Sequence, residues 1–396
     1  MHCTNLGFGR KELNDAAYEQ MQKLAQIFSG PPNSNIQAIE YAAELAEVMP
    51  GDINHCYFTS IGSESNEVAI QIVRFYWQVR GAWEKYKIIC LSHAYHGATA
   101  LTRSISNHLN QTAFGREYPG VVRIPNFHCY RCPYNLKYPS CDILCARMLE
   151  EVIETEGEDT VACFIAEPVQ GAEGVLWPPD EYWPIVRDIC TRRNVLLIDD
   201  EVMAGFCRTG KMFAIENWNV VPDIMAMSKG INAAYLPFGA VGVSDKVYKH
   251  IEGKELTSVT TSSGNATCVA TARAALKIYK VEKLAERAAR LGNLLHKRLV
   301  EEFLPLPCVD DVMGRGLFQS FEIALNKTTD SKFNYEASRQ AREQLLKRCF
   351  ENGVFACRSD GYPRRQPVGP PCIISEEDLD KALGVMLGAM KEIRPV

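Results

Sequence analysis

Two short apolar runs, each followed by carboxylates, place the strongest constraint on the fold of this chain. The first run is Val161–Ala166, followed by Glu167, and the second is Val195–Ile198, followed by three acids at 199–201. Apolar runs of this length without polar alternation predict strands that are buried on both faces, as in a parallel sheet. Open α/β sheets bind ligands beyond the carboxyl ends of their strands, so the acids predict a site at that edge.

The segment between the two runs has the pattern of a helix. Apolar residues recur at positions 182, 185, 186 and 189, and Pro184 stands where the first turn of a helix tolerates proline. Asp180 is placed to cap the first turn. The three elements together predict a β-α-β unit.

A single lysine, Lys229, follows in the segment Met227-Ser228-Lys229-Gly230. Burying a charged lysine costs free energy, so we expect Lys229 either at an edge of the core or with a lowered pKa and a chemical role. A lysine with a lowered pKa can condense with an aldehyde. For any one of these residues taken alone, a structural lysine or an ordinary strand-end acid is the favoured explanation.

Three segments in this order, AEPVQG (166–171), DDEVMAGFCRTG (199–210) and SKGI (228–231), resemble the class III pyridoxal-phosphate aminotransferases. The resemblance implies fold type I, an α/β fold with a mostly parallel seven-stranded sheet and a small α+β C-terminal domain. It implies that Lys229 carries pyridoxal phosphate as a Schiff base and that Asp200 pairs with the pyridinium nitrogen. We choose Asp200 over Asp199 because neighbours on a strand point to opposite faces and because the family's acid aligns with DEV.

The resemblance also supplies candidate contacts for the rest of the cofactor. A glycine-containing turn that opens a helix offers N–H groups to a phosphate, and a flat aromatic ring can stack on a pyridine ring. Each feature also has an ordinary explanation, because many helices begin after Gly-Ser and many loops are rich in threonine. By resemblance, the cofactor contacts are Gly62, Ser63, Tyr95, His96, Glu167, Asp200, Val202, Lys229 and, from the neighbouring subunit, Thr261.

Two positions bear on the substrate. Relatives that act on 4-aminobutyrate or ornithine usually carry glutamine after DEV, whereas this chain has Met203. The resemblance therefore favours the ω-amino acid:pyruvate and taurine–pyruvate-like group, with taurine, β-alanine or simple amines as donors and pyruvate as the expected acceptor. Arg358 falls where several relatives bind the substrate carboxylate, although Arg364, Arg365 and a solvated basic loop remain alternatives.

Residues 128–145 contain Cys129, Cys132, Cys141 and Cys145, spaced as CxxC and CxxxC pairs. Two close pairs of thiols are typical of a tetrahedral Zn site or an Fe–S cluster. Four packed thiols acting as small hydrophobes are the alternative. In either case we expect the segment to lie apart from the chemistry.

The chain has 396 residues and a net charge of −5, which does not favour a nucleic-acid or membrane partner. By resemblance we divide it into a residual N-terminal segment (1–25), which lacks the family's N-terminal arm, a large domain (26–280) that includes the cysteine-rich insert, and a small C-terminal domain (281–396). It has neither a bilayer-length apolar run nor a signal-peptide pattern, and its 15 cysteines suit a reducing compartment, so we expect a cytoplasmic protein. The family architecture implies a homodimer.

These observations predict an aminotransferase in which Lys229 is the acid/base group and Asp200 maintains the electron sink. The expected partners are an amine donor and a 2-oxo acid. Two alternatives stay open: an aminomutase or decarboxylase on the same scaffold, and a non-catalytic, metal-binding regulatory protein.

Overall fold

A seven-stranded sheet forms the centre of the computed structural model, which describes residues 2–27, 33–106, 115, 117–256, 260–324, 335–358 and 364–393. Its strands are β1 (Ile53–Thr59), β2 (Lys87–Leu91), β3 (Val121–Ile124), β4 (Val161–Ala166), β5 (Leu196–Asp200), β6 (Ile224–Met227) and β7 (Gly239–Ser244). They lie in the order β1-β7-β6-β5-β4-β2-β3, and only β7 runs antiparallel to its neighbours. The predicted mostly parallel sheet is confirmed.

Helices cover both faces of this sheet. In the large part of the chain they are α1 (Lys11–Lys23), α2 (Ile36–Ala46), α3 (Gly62–Val79), α4 (Ala100–Ile105), α5 (Leu144–Glu156), α6 (Tyr182–Arg192), α7 (Asp245–Ile251) and α8 (Ala266–Val281). Side chains of α3 pack with Ile198 on one face, whereas α5 and α6 share a core with Leu197 on the other. Burial on both faces explains why the strands read as continuous apolar runs.

The β-α-β unit expected from the sequence is present, with one difference in its capping. Strands β4 and β5 are parallel neighbours, so Glu167, directly after β4, and Asp200, the last residue of β5, share one edge of the sheet. The prediction that Asp180 caps α6 is wrong. Glu181 occupies that position without a side-chain hydrogen bond, and Asp180 Oδ1 instead accepts a hydrogen bond of 2.7 Å from Arg315.

The C-terminal part forms its own core around a three-stranded antiparallel sheet in the order β10-β9-β8. Its elements are α9 (Leu284–Arg298), β8 (Val309–Arg315), β9 (Phe318–Ile323), α10 (Tyr335–Glu351), β10 (Arg365–Val368) and α11 (Glu376–Glu392). The domain boundaries at 25/26 and 280/281 stay predictions. Within the described ranges, no helix combines the length and apolarity needed to cross a bilayer.

Helix α9 approaches the turn between β8 and β9 very closely at Gly292. A Cβ atom added to Gly292 would lie 2.3 Å from the Cα atom of Gly316. Backbone atoms cannot yield as a flexible side chain can, so the position requires glycine.

We expect Gly292→Ala to destabilise the protein by about 1–3 kcal/mol, because the added methyl group overpacks a backbone contact. Gly384→Ala in α11 is the matched control, since a Cβ there meets no atom within 4 Å. It should be neutral or stabilise by up to about 1 kcal/mol through helix propensity. Urea denaturation measures the free energy of unfolding of both variants. Equal values would contradict the close backbone contact at Gly292.

Candidate active site

The carboxyl group of Asp200 is buried and fixed by three neighbours. Its Oδ2 accepts a hydrogen bond of 2.7 Å from Asn66 Nδ2 and lies 2.7 Å from His96 Nδ1. Its Oδ1 accepts a hydrogen bond of 3.0 Å from the Val202 amide. These contacts orient the carboxyl group at the end of β5. The sequence reasoning missed Asn66, although its place one turn into α3 after Gly62 could have indicated it.

The acids on either side of Asp200 have a different environment. Within the part of the chain that the structure describes, neither carboxyl oxygen of buried Asp199 has a hydrogen-bond partner. Burial raises the pKa of Asp199 well above its usual range and that of Glu201 to about 8. Burial therefore favours the protonated form of both side chains. The choice of Asp200 over Asp199 stays a prediction.

Lys229 follows β6 and is half-buried, with a backbone φ of +44°. Left-handed conformations of residues other than glycine are strained and cluster at functional sites. Burial lowers the pKa of the Lys229 amine, while Asp200 and Glu167 act in the opposite direction. A lowered pKa increases the fraction of uncharged, nucleophilic amine, which is the second of the two alternatives for Lys229, and its chemical role stays a prediction.

Glu167 holds two loops together at the same edge of the sheet. Its Oε1 accepts a hydrogen bond of 3.1 Å from the Tyr95 amide, and its Oε2 accepts one of 3.0 Å from the Gly171 amide. Burial raises the pKa of Glu167 to about 7. The Tyr95 residue is 41% exposed, so its ring can receive a flat ligand.

Helix α3 begins at Gly62, and its N-terminus packs against the other candidate residues. A Cβ atom on Gly62 would lie 2.6 Å from a methyl carbon of Val202. Ser63 Oγ accepts a hydrogen bond of 3.1 Å from the Ala98 amide. The residue before the helix is Ile61, which has no side-chain acceptor for the first turn. The amide groups of this turn therefore suit an anion.

Two predicted residues lie outside these contacts. Thr261 is exposed, and its backbone carbonyl accepts a hydrogen bond of 2.7 Å from Gln26 Nε2. The Arg358 side chain is 58% exposed and lies 3.9 Å from Glu343. Their roles towards a partner subunit's cofactor and a substrate carboxylate stay predictions.

Met203 is half-buried, and its sulfur atom lies close to Gly171. A Cβ atom added to Gly171 would lie 2.4 Å from that sulfur.

The described residues fit pyridoxal phosphate. Four groups of the site match four chemical features of the cofactor. The nucleophilic amine matches its aldehyde, and the oriented carboxyl group matches its ring nitrogen. The exposed aromatic ring matches the ring face, and the helix N-terminus matches the phosphate. The aldehyde would be held by Lys229 and the ring nitrogen by Asp200. The ring face would be held by Tyr95 and the phosphate by the first turn of α3.

The cysteine-rich segment has its own small cavity. Cys129, Cys132, Cys141 and Cys145 line this space of about 20 Å³. Burial and the nearby thiols raise the pKa of Cys129 to about 11 and that of Cys145 to about 12. Among the residues that the structure describes, no group of three or more His, Cys, Asp or Glu side chains is arranged to hold a metal ion. The packed-thiol alternative fits this arrangement, and the Zn or Fe–S prediction gains no support from it.

Packed thiols predict that anaerobically purified protein carries less than about a tenth of an equivalent of Zn or Fe per chain, whereas a closed four-cysteine site predicts full occupancy. Elemental analysis measures this directly. A full equivalent that is lost together with thermal stability after chelation would overturn the packed-thiol interpretation.

The family model described as aminotransferase class-III matches residues 1–390. A putrescine–pyruvate aminotransferase of Pseudomonas aeruginosa is 33% identical over 385 residues, which cover 96% of this chain and 83% of that protein. A taurine–pyruvate aminotransferase of Bilophila wadsworthia is 33% identical over 82% of this chain and 72% of its own length.

The fold comparison agrees with the sequence comparison. The crystal structure of a thermostable (S)-enantioselective omega-transaminase from Thermomicrobium roseum superposes with a TM-score of 0.92 at 36% identity, covering 99% of this chain and 87% of that one. The chain belongs to the class III aminotransferases, enzymes of PLP fold type I that depend on pyridoxal phosphate.

Proposed function

We propose that this chain transfers an amino group from an amine or ω-amino acid to a 2-oxo acid, with pyruvate as the acceptor. The observation that carries the proposal is the convergence of Lys229, Asp200 and Glu167 at one edge of the sheet, where the pKa of Lys229 is lowered by burial. The named activities of the putrescine–pyruvate and taurine–pyruvate relatives support the same reaction class.

The residues divide the work as follows. Pyridoxal phosphate, when bound, supplies the electron sink that stabilises negative charge on the substrate carbon. Lys229 Nζ would hold the cofactor and would move the proton of the substrate carbon that bears the amino group. Asp200 holds the proton at the pyridine nitrogen, and Asn66 and His96 keep its carboxyl group in place.

The residue after the DEV segment, Met203, supports a choice among the possible classes of amine donor. Met203 presents an apolar side chain beside Gly171, where glutamine would present a polar one. This supports the ω-amino acid:pyruvate group, with taurine, β-alanine or simple amines as candidate donors. Arg358 remains a candidate for the carboxylate of the acid substrate.

A homodimer is part of this proposal, with Thr261 of each subunit directed to the cofactor phosphate of the other. The exposure of Thr261 leaves it accessible to a second subunit. A cytoplasmic location is also proposed, and it rests on the 15 cysteines, which suit a reducing compartment. Sedimentation velocity tests the dimer.

We expect Asp200→Asn to leave the cofactor bound but to lower kcat by about 10²–10⁴-fold, because a neutral amide cannot hold the pyridinium proton. Asp199→Asn is the matched control. Its side chain lies on the other face of the sheet and makes no hydrogen bond within the described residues, so its kcat should stay close to that of the native chain. A larger loss for Asp199→Asn would contradict the assignment.

Lys229→Ala should abolish both covalent attachment of the cofactor and transamination. Borohydride reduction of the native chain followed by peptide mapping should place the label on Lys229, and a label elsewhere would refute its role.

A donor screen with pyruvate and 2-oxoglutarate then tests the reaction. Alanine formed from pyruvate supports transamination, whereas carbon dioxide or an isomerised amino acid would favour the decarboxylase or aminomutase alternative.

A further inference from the structure

A second buried carboxyl group, that of Glu173, lies beside the candidate site and has no part in the proposed chemistry. Its side chain is 3% exposed, and its Oε1 lies 3.4 Å from His93 Nδ1. Within the described part of the chain, its Oε2 has no hydrogen-bond partner. Buried carboxyl oxygens are normally hydrogen-bonded, so this one calls for an explanation.

Glu173 and its neighbour His93 lie in the two loops that Glu167 joins. Glu173 comes two residues after Gly171, whose amide binds Glu167, and His93 comes two residues before Tyr95, whose amide binds the same carboxyl group. Glu167 is close enough to Glu173 to raise its pKa. Glu167 also acts electrostatically on Lys229. Glu167 is therefore near both Lys229 and Glu173.

Among the described residues, no lysine or arginine forms an ion pair with Glu173. Burial, followed by Glu167, raises the pKa of Glu173 to about 8. Burial also lowers the pKa of His93, so its imidazole is neutral at neutral pH. A positively charged group placed at Oε2 would favour the carboxylate form and would gain a strong, charge-assisted hydrogen bond.

We propose that Glu173 binds the distal ammonium group of a diamine donor, so that the site favours a diamine over a monoamine with the same carbon chain. This inference rests on the proposed function, since it assumes that the donor's reacting amine lies at Lys229.

The test compares putrescine with butylamine, which has the same four-carbon chain but no distal amine. Glu173→Gln keeps the shape of the side chain and removes its charge. With the cofactor-loaded enzyme and pyruvate, we expect this variant to lower kcat/KM for putrescine by about tenfold or more. The value for butylamine should change by less than about twofold. Glu286→Gln, an exposed glutamate on α9, is the control and should leave both values unchanged.

A binding measurement separates this inference from the proposed function. Isothermal titration without a 2-oxo acid should show that the native chain binds putrescine more tightly than butylamine and that Glu173→Gln loses the difference. If the native chain transaminates no donor but keeps this Glu173-dependent preference, the proposed function is wrong and the inference stands. If Glu173→Gln affects both amines equally, or neither, Glu173 is a structural acid and the inference is overturned.

Discussion

The arrangement of buried ionisable groups at one edge of the central sheet is the constraint on which the site depends. Asp200 has donors from helix α3 and from its own loop, whereas the neighbouring Asp199 has no hydrogen-bond partner within the described residues. Glu167, Glu173 and Glu201 have raised pKa values because burial disfavours their charged forms. Asp200 therefore stands out among these acids by its set of oriented hydrogen bonds rather than by burial.

The parallel sheet makes this arrangement possible. Strands β4, β5 and β6 run in the same direction, so the residues at or just beyond their carboxyl ends, Glu167, Asp200 and Lys229, meet at one edge. The N-terminus of α3 packs against Val202 at that edge and brings the amide groups of its first turn to the site. One topological feature thus places an amine, a carboxylate and an anion-binding turn together, which is the set that pyridoxal-phosphate chemistry requires.

The elements that the sequence predicted best were those with the strongest local pattern. Strand β4 was predicted with its observed bounds, because an apolar run that is buried on both faces leaves little doubt about its extent. The cap of α6 was predicted wrongly, because Asp180 pairs instead with Arg315, which is 135 positions further along the chain. Spacing in the cysteine-rich segment suggested a metal site, but the thiols' relative positions depend on how the segment folds around its small cavity.

The sequence by itself determined the α/β architecture, the family and the identity of Lys229, Asp200 and Glu167 as candidates, because apolar periodicity and contiguous motifs are local properties of the chain. Only the tertiary structure decided that Asn66 and His96 hold Asp200 and that Glu173 lies beside Glu167. Hydrogen bonds between residues more than a hundred positions apart, and the pKa shifts caused by burial, depend on packing across several elements. The order of residues along the chain does not show that packing directly.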